Sequence, residues 1–249
     1  MTDPRAQILC MKWGTKYGVE YVNRLYGMVQ RNLSRPFRLV CLTEDRAGIR
    51  PEVEILPLPD MGTTEGIQKR GWWKVGLFSH TLGDLSGPAL FLDLDVVIVA
   101  SLEPLFDQPG EVVVPKDYRL VRVRRDYFVG NTSVLRFPVG RYPALMERFR
   151  KDFEGIKRRV RNEQEYVSYF FHELGLLRYW PEEWCPSFKH DCVAPWPLCY
   201  LHAPRIPEGA RVVVFHGSPK PDEAVEGIGG KWYRPILPTP WIRDHWDER

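Results

Sequence analysis

The chain has 249 residues, 44% of them hydrophobic and 27% charged, a balance that excludes a disordered segment and suits one large α/β domain or two small ones. Its net charge of +3 demands no nucleic-acid partner, and no nucleic-acid-binding motif accompanies its basic runs. Five cysteines, an odd number, argue against a disulfide framework, and the seven-residue steps between Cys185, Cys192 and Cys199 match no zinc pattern.

Buried free thiols in a reducing cytosol are the expectation instead. The opening "MTDPRAQILCMKW" lacks the layout of a signal peptide, and "ALFLDLDVVIVA" is too short and too acidic for a membrane span. A cytoplasmic location is therefore expected.

In chain order, "QILCMKW" reads as a first strand and "GTKYG" as a turn. "VEYVNRLYGMVQRNL" follows as an amphipathic helix with Val19, Val22, Leu25, Tyr26, Val29 and Leu33 on one stripe. "FRLVCLTED" is a second strand, and "VEILPLP" a short extended piece stopped by Pro57 and Pro59. "WWKVGLFSHTLG" is helical by pattern, and "GPALFLDLDVVIV" reads as one long buried strand. Strands alternating with helices predict a mostly parallel sheet covered on both faces. Further on, "EVVVPKD", "YFVGNTSVLRF" and "ARVVVFHG" read as strands, "RYPALMERFRKDF" and "NEQEYVSYFFHELG" as helices, and "KWYRPILPTPWIRDHW" as a wrapping tail. A single domain over 1–249 is expected. It divides into a nucleotide-binding half (1–100), a half for donor sugar and acceptor (101–221) and a C-terminal tail (222–249).

Two carboxylates stand in the most apolar strand. Asp93 and Asp95 are two apart, so an ideal strand puts them on one side. Close carboxylates repel, and burying each without a partner adds several kcal/mol. One resolution is a sheet edge where Arg or Lys pairs with them. The other is a divalent ion: ligands of open α/β sheets bind beyond the carboxyl ends of the strands, where an Asp-x-Asp turn can present oxygens to Mg²⁺ or Mn²⁺ bridging to a diphosphate.

"FLDLDVVIVASLEPLFD" resembles the segment carrying the Asp-x-Asp motif in GT-A fold glycosyltransferases, in particular family 8, the glycogenin and bacterial galactosyltransferase group. Further motifs resemble that family in the same order, from about residue 8 to residue 221. "KYGVEYVNRLYGMVQRN" resembles its opening loop and helix, implying that Tyr17 stacks on a uracil. "WWKVGLF" resembles the helix with a lysine near the donor, matched by Lys74. "GNTSVLRF" resembles a strand lining the sugar pocket, matched by Asn131. "NEQEYVSYFF" resembles a helix start that holds sugar hydroxyls, matched by Glu163 and Gln164. "VVVFHGSPKP" resembles the late strand that brings a metal-binding histidine and a lysine, matched by His216, Gly217 and Lys220. His216 and Lys220 stand closer than is usual in the family, Ser133 replaces its glycine, and Glu163 replaces its aspartate.

The resemblance implies an α/β GT-A (Rossmann-like) enzyme with a mixed, mostly parallel central sheet. It implies transfer of a sugar, with retention, from a UDP-linked donor to a hydroxyl acceptor. Asp93, Asp95 and His216 would hold the ion, and an imidazole ligand favours Mn²⁺ over Mg²⁺. Tyr17, Lys74, Asp93, Gly217 and Lys220 would face the donor; Asn131, Glu163 and Gln164 would orient its sugar. Each has a plainer reading: Tyr17 covers a helix start, Lys74 snorkels to solvent, Asn131 serves a turn, and Glu163 and Gln164 follow an N-cap at Asn162. Some of Trp180, Trp184 and Trp196 could line an acceptor groove or plug the core. Basic residues concentrate between 119 and 161; most such runs are solvated faces, the alternative being an anionic or lipid-linked acceptor or the inner face of an anionic membrane. A nucleotide-sugar-binding protein without turnover is the competing class. A nucleotidyltransferase ranks below it, because "MKWGTKYG" lacks a glycine-rich phosphate loop.

Overall fold

A computed structural model describes residues 5–62, 66–67, 71–118 and 127–249. The early apolar runs become parallel strands. β1 (Ala6–Lys12) is buried throughout, α1 (Val19–Asn32) follows it, and β2 (Phe37–Thr43) pairs with β1 in parallel from Ala6↔Phe37 to Lys12↔Thr43. β3 (Glu54–Leu56) extends the sheet from β2. "WWKVGLF" forms a 3₁₀ helix, Trp72–Phe78. Its Gly76 lies so close to Pro59 that a Cβ would sit 2.7 Å from the proline ring. β4 (Gly87–Leu92) then pairs with the other edge of β1.

The long apolar run does not continue as one strand. It turns after Leu92, and β5 (Val96–Ile98) leaves the main sheet. "LEPLFD" supplies α2 (Glu103–Asp107), followed by β6 (Val112–Val114), β7 (Val134–Val139), α3 (Pro143–Lys151), α4 (Phe153–Arg159) and α5 (Glu163–Glu173). Then come β8 (Leu177–Tyr179), β9 (Val212–Val214), α6 (Pro221–Val225), the short hairpin β10 (Gly230–Lys231) and β11 (Arg234–Pro235), and α7 (Trp241–His245). The main sheet has seven strands in the order β3-β2-β1-β4-β7-β6-β8. Only β7 opposes the rest, so the sheet is mixed and mostly parallel as expected. β9 pairs antiparallel with β5 in a small second sheet.

Strand pleating divides the apolar side chains between two cores. Ile8, Cys10, Leu39, Cys41, Leu90 and Leu92 pack with α1, β5, β9 and α7. Leu9, Met11, Val40, Leu42, Phe91 and Phe137 pack on the other face with Trp72, Phe78, Phe149 and Phe171. Of the predicted α1 stripe, Val22, Leu25, Val29 and Leu33 are buried, while Val19 and Tyr26 are half-buried. The C-terminal segment packs as well as wraps: Ile242 and Trp246 are buried. Gly27 lets it approach α1, since a Cβ there would lie 2.6 Å from the Asp247 carbonyl oxygen. All five cysteines are free and buried. No helix among the described residues is long and apolar enough to cross a membrane.

Candidate active site

Asp93, Leu94 and Asp95 form the turn between β4 and β5. Leu94 is buried in the core beneath it, and the Asp93 amide donates to the Ser133 carbonyl at 2.9 Å. An apolar anchor and a backbone bond thus hold the turn. Both carboxylates line one cavity of about 1010 Å³. They share it through a turn and not through the pleat of a continuous strand. The cavity lies beyond the carboxyl ends of β1 and β4, where ligands of such sheets bind. Trp13 to Tyr17 after β1, the first turn of α5, and Phe215 to Gly217 after β9 complete its wall.

Every carboxylate here has a partner. Lys74 is buried on the 3₁₀ helix, and its Nζ lies 2.6 Å from Asp93 Oδ2 and 3.8 Å from Glu163 Oε1. Burial pulls the Lys74 pKa down, but the two carboxylates outweigh it and the net shift is upward. It is an ion-paired core cation, not a snorkelling one. The Tyr17 hydroxyl donates to Asp95 Oδ2 at 2.5 Å, and its own pKa is raised by burial and by the Asp95 charge. Burial and the neighbouring Asp93 charge push Asp95 up to about 6, against the Tyr17 bond, Lys16 and Lys74. Glu163 accepts from Thr132 Oγ1 at 2.5 Å. Burial raises its pKa to about 7, with Lys74 and Thr132 opposing. Asn162 caps α5, its Oδ1 accepting from the Glu165 amide at 3.1 Å.

A second cavity, of about 610 Å³, adjoins the first, sharing Asp117, Gln164 and His216 with it. Asn131 lines only this second space; its Oδ1 accepts from the Ser133 amide at 2.8 Å. Asn131 thus makes the turn bond and also lines a cavity wall. Lys220 lines neither cavity. It is the N-cap residue before α6, and its Nζ donates to the Lys16 carbonyl at 3.0 Å and lies 4.8 Å from the centre of the Tyr17 ring. The short stretch from His216 leaves it bracing the loop that carries Tyr17. Gly217 lines the first cavity at φ +78°, a conformation that favours glycine.

The donor set fits a divalent ion at the two aspartates. Asp95 is pushed up by burial and then by the charge of its neighbour, and a cation beside the pair would offset both costs. His216 does not join them as the side chains are set. Its Nε2 is 2.7 Å from Ser187 Oγ, and its ring stacks 5.4 Å from Tyr118. Among the described residues no three acid, imidazole or thiol groups converge as ion ligands. Burial, Lys189 and His190 lower the His216 pKa to about 4, which keeps its ring neutral.

Sequence reasoning missed several wall residues. Asp117 sits between the two cavities, and Arg161 lines the first while bonding Glu165 Oε1 at 2.6 Å. Asp117 was visible as the acid ending "EVVVPKD"; Arg161 was hidden in a basic run. Of the three tryptophans considered for an acceptor groove, Trp180 is a core residue whose Nε1 donates to the Val134 carbonyl at 2.9 Å. None of the three lines either cavity.

No family profile and no curated protein matches this sequence. Solved structures match in shape. The galactosyltransferase LgtC, crystallised with donor and acceptor sugar analogs, aligns with a TM-score of 0.61 over 86% of this chain and 88% of its own, at 16% identity. The fold is that of the GT-A glycosyltransferases. Two more solved structures agree. Against the glycosyltransferase GlyE of Streptococcus pneumoniae TIGR4, the TM-score is 0.59 over 87% of this chain and 56% of GlyE, at 13% identity. Against mouse xyloside xylosyltransferase 1 it is 0.53 over 86% and 98%, at 11% identity. In this GT-A fold the Asp-x-Asp turn closes the carboxyl end of β4.

Proposed function

We propose that this chain is a metal-dependent glycosyltransferase of the hexosyltransferase type. It moves a sugar from a nucleotide donor, UDP-linked, to the hydroxyl of a saccharide or lipid-linked acceptor, with retention. The observation that carries this reading is the Asp93–Leu94–Asp95 turn, set in a polar cavity of a GT-A fold. Asp93 and Asp95 would hold Mn²⁺, or Mg²⁺, and the bound ion supplies Lewis-acid neutralisation of the departing diphosphate.

This chain's own residues do the rest. Lys74 keeps a fixed positive charge beside Asp93, where negative charge grows as the glycosidic bond breaks. Tyr17 holds Asp95 in place and presents its ring to the base; Gly217 lets the backbone pass close to the donor. Glu163 and Gln164, on the first turn of a capped helix, orient sugar hydroxyls, with Asn131 on the acceptor side. Lys220 acts through the Tyr17 loop. No carboxylate stands out as a nucleophile, so front-face attack assisted by the leaving phosphate is the route that suits retention. His216 stays with the proposed ligand set, and requires turning from Ser187 to reach the ion. Segments 1–100, 101–221 and 222–249 serve as nucleotide half, sugar and acceptor half, and tail of one domain, working in the cytoplasm.

The test pairs binding with turnover. A panel of nucleotide sugars in thermal-shift assays, with and without Mn²⁺, should single out a UDP-sugar whose shift depends on the ion. That donor should be hydrolysed slowly by the wild-type chain and hardly at all by Asp95→Asn. Tight ion-dependent binding with no hydrolysis or transfer to any acceptor would instead establish a binding protein.

A further inference from the structure

Segments 192–207 and 227–243 contain no aspartate or glutamate, yet carry Arg205, Lys231, Arg234 and Arg243. All the exposed large apolar side chains of the described surface, save Tyr169 and Leu174, lie on them. Trp232 is 87% exposed, Leu201 76%, Trp196 68% and Ile228 58%. The two segments are tied together. The Tyr200 hydroxyl donates to the Trp232 carbonyl at 2.6 Å, and Arg234 Nη2 to the Val193 carbonyl at 3.1 Å. They make one rim, and its inner side (Val193, Lys231, Tyr233, Arg234) lines the second cavity opposite Asn131 and Gln164.

We propose that this rim docks on an anionic lipid bilayer, so that the hydroxyl-bearing headgroup of a lipid-anchored acceptor enters the second cavity. The docking stands on the surface alone; the acceptor rests on the glycosyltransferase reading. Leucine and isoleucine beside tryptophan, tyrosine and basic residues is the composition of an interfacial surface: the apolar tips enter the headgroup boundary while the cations meet lipid phosphates. A sugar chain fits less well. Trp232 and Tyr233 stand at 88° to each other and offer no common platform, and Leu201 and Ile228 give a sugar no flat face. A second copy of the rim would set cations against cations. The basic run near residue 119 to 161 is a weaker membrane face, because most of its described members pair with acids: Arg148 with Glu173, Arg150 with Asp60, Lys157 with Glu154, Arg159 with Asp152, Arg161 with Glu165. On the rim the described ion pairing is confined to Arg243 with Glu226.

The experiment is co-sedimentation of the full chain with phosphatidylcholine vesicles, with and without phosphatidylglycerol. Binding should require the anionic lipid and weaken with salt. Trp232→Glu and Leu201→Glu should each weaken it about tenfold or more, while Leu174→Glu, exposed elsewhere, leaves it unchanged. Both rim side chains are more than three-quarters exposed, so melting temperatures should hold. Donor hydrolysis in solution should also be unaffected by the rim variants. Failure to sediment with anionic vesicles overturns the proposal, as does equal loss in Leu174→Glu or undiminished binding by the Trp232→Glu/Leu201→Glu double variant. A dimer dissolved by Trp232→Glu, without vesicle binding, assigns the rim to a second copy and overturns it too. Vesicle binding by a chain that neither hydrolyses a nucleotide sugar nor transfers one to any acceptor keeps the docking and removes the glycosyltransferase reading.

Discussion

The two cavities adjoin but are built on opposite principles. In the first, the charged groups at its centre are already engaged: Lys74 with Asp93, Tyr17 with Asp95, Thr132 with Glu163. In the second, the outer rim leaves large apolar side chains in water with nothing covering them. A charged ligand entering the first must exchange existing pairs for new ones, so its binding depends on pH and counter-ions. A ligand at the second gains by covering apolar surface.

The largest effect that would break this contrast comes from Lys74→Met. Removing the buried ammonium leaves Asp93 and Glu163 facing each other without a counter-charge. Stability should fall by about 3–5 kcal/mol in urea denaturation; an unchanged midpoint would mean the pairs do not hold the cavity together. Next is Asp95→Asn, which keeps an acceptor oxygen for Tyr17 but deletes the charge. Transfer should drop by roughly 10²–10³, while stability near neutral pH holds or rises, because a buried and repelled charge is gone. Wild-type turnover by this variant would remove the metal-bound diphosphate from the account.

A pH series sharpens the contrast further. Asp95 and Glu163 have folded values of about 6 and about 7, above the ordinary carboxylate value of about 4. In that window these two groups bind more protons folded than unfolded, so their contribution to stability without metal is greatest at the acid end and falls as pH rises from about 4 to 7. His216, held at about 4 by burial, contributes in the opposite sense; the difference between wild type and Asp95→Asn isolates the Asp95 part. A dication needs the ionised Asp95, so the Mn²⁺-induced rise in melting temperature should grow over the same range and flatten in Asp95→Asn. A Mn²⁺ shift independent of pH would place the ion elsewhere. The smallest effect is Thr132→Val, which strips a buried hydrogen bond from Glu163. It should lower stability by about 1 kcal/mol and raise the Glu163 pKa, readable by NMR titration, with rim binding to vesicles untouched.

Much of this was legible in the chain. The apolar centres of β1 and β2 could only be buried on both faces, and the α1 stripe declared which side faced the sheet. Asn162 before two acids signalled the helix start that carries Glu163 and Gln164. The order of motifs around Asp93 and Asp95 pointed to the GT-A fold that the solved structures share.

Other features had no local signature. Nothing in "LFLDLDVVIV" announces that the chain leaves the main sheet after Leu92, since a buried strand and the strand after a turn share one composition; the pairing of β5 with β9, more than a hundred residues on, decides it. Lys220 near a histidine reads as a phosphate ligand, yet its position at the start of α6 aims it at the Lys16 carbonyl. Tryptophans of similar local context ended up buried, like Trp180, or exposed, like Trp196. Sequence fixes which side chains must leave water and which charges need partners, because burial and desolvation belong to the residue. Which partner each one finds is a matter of long-range contacts, and only the assembled chain supplies them.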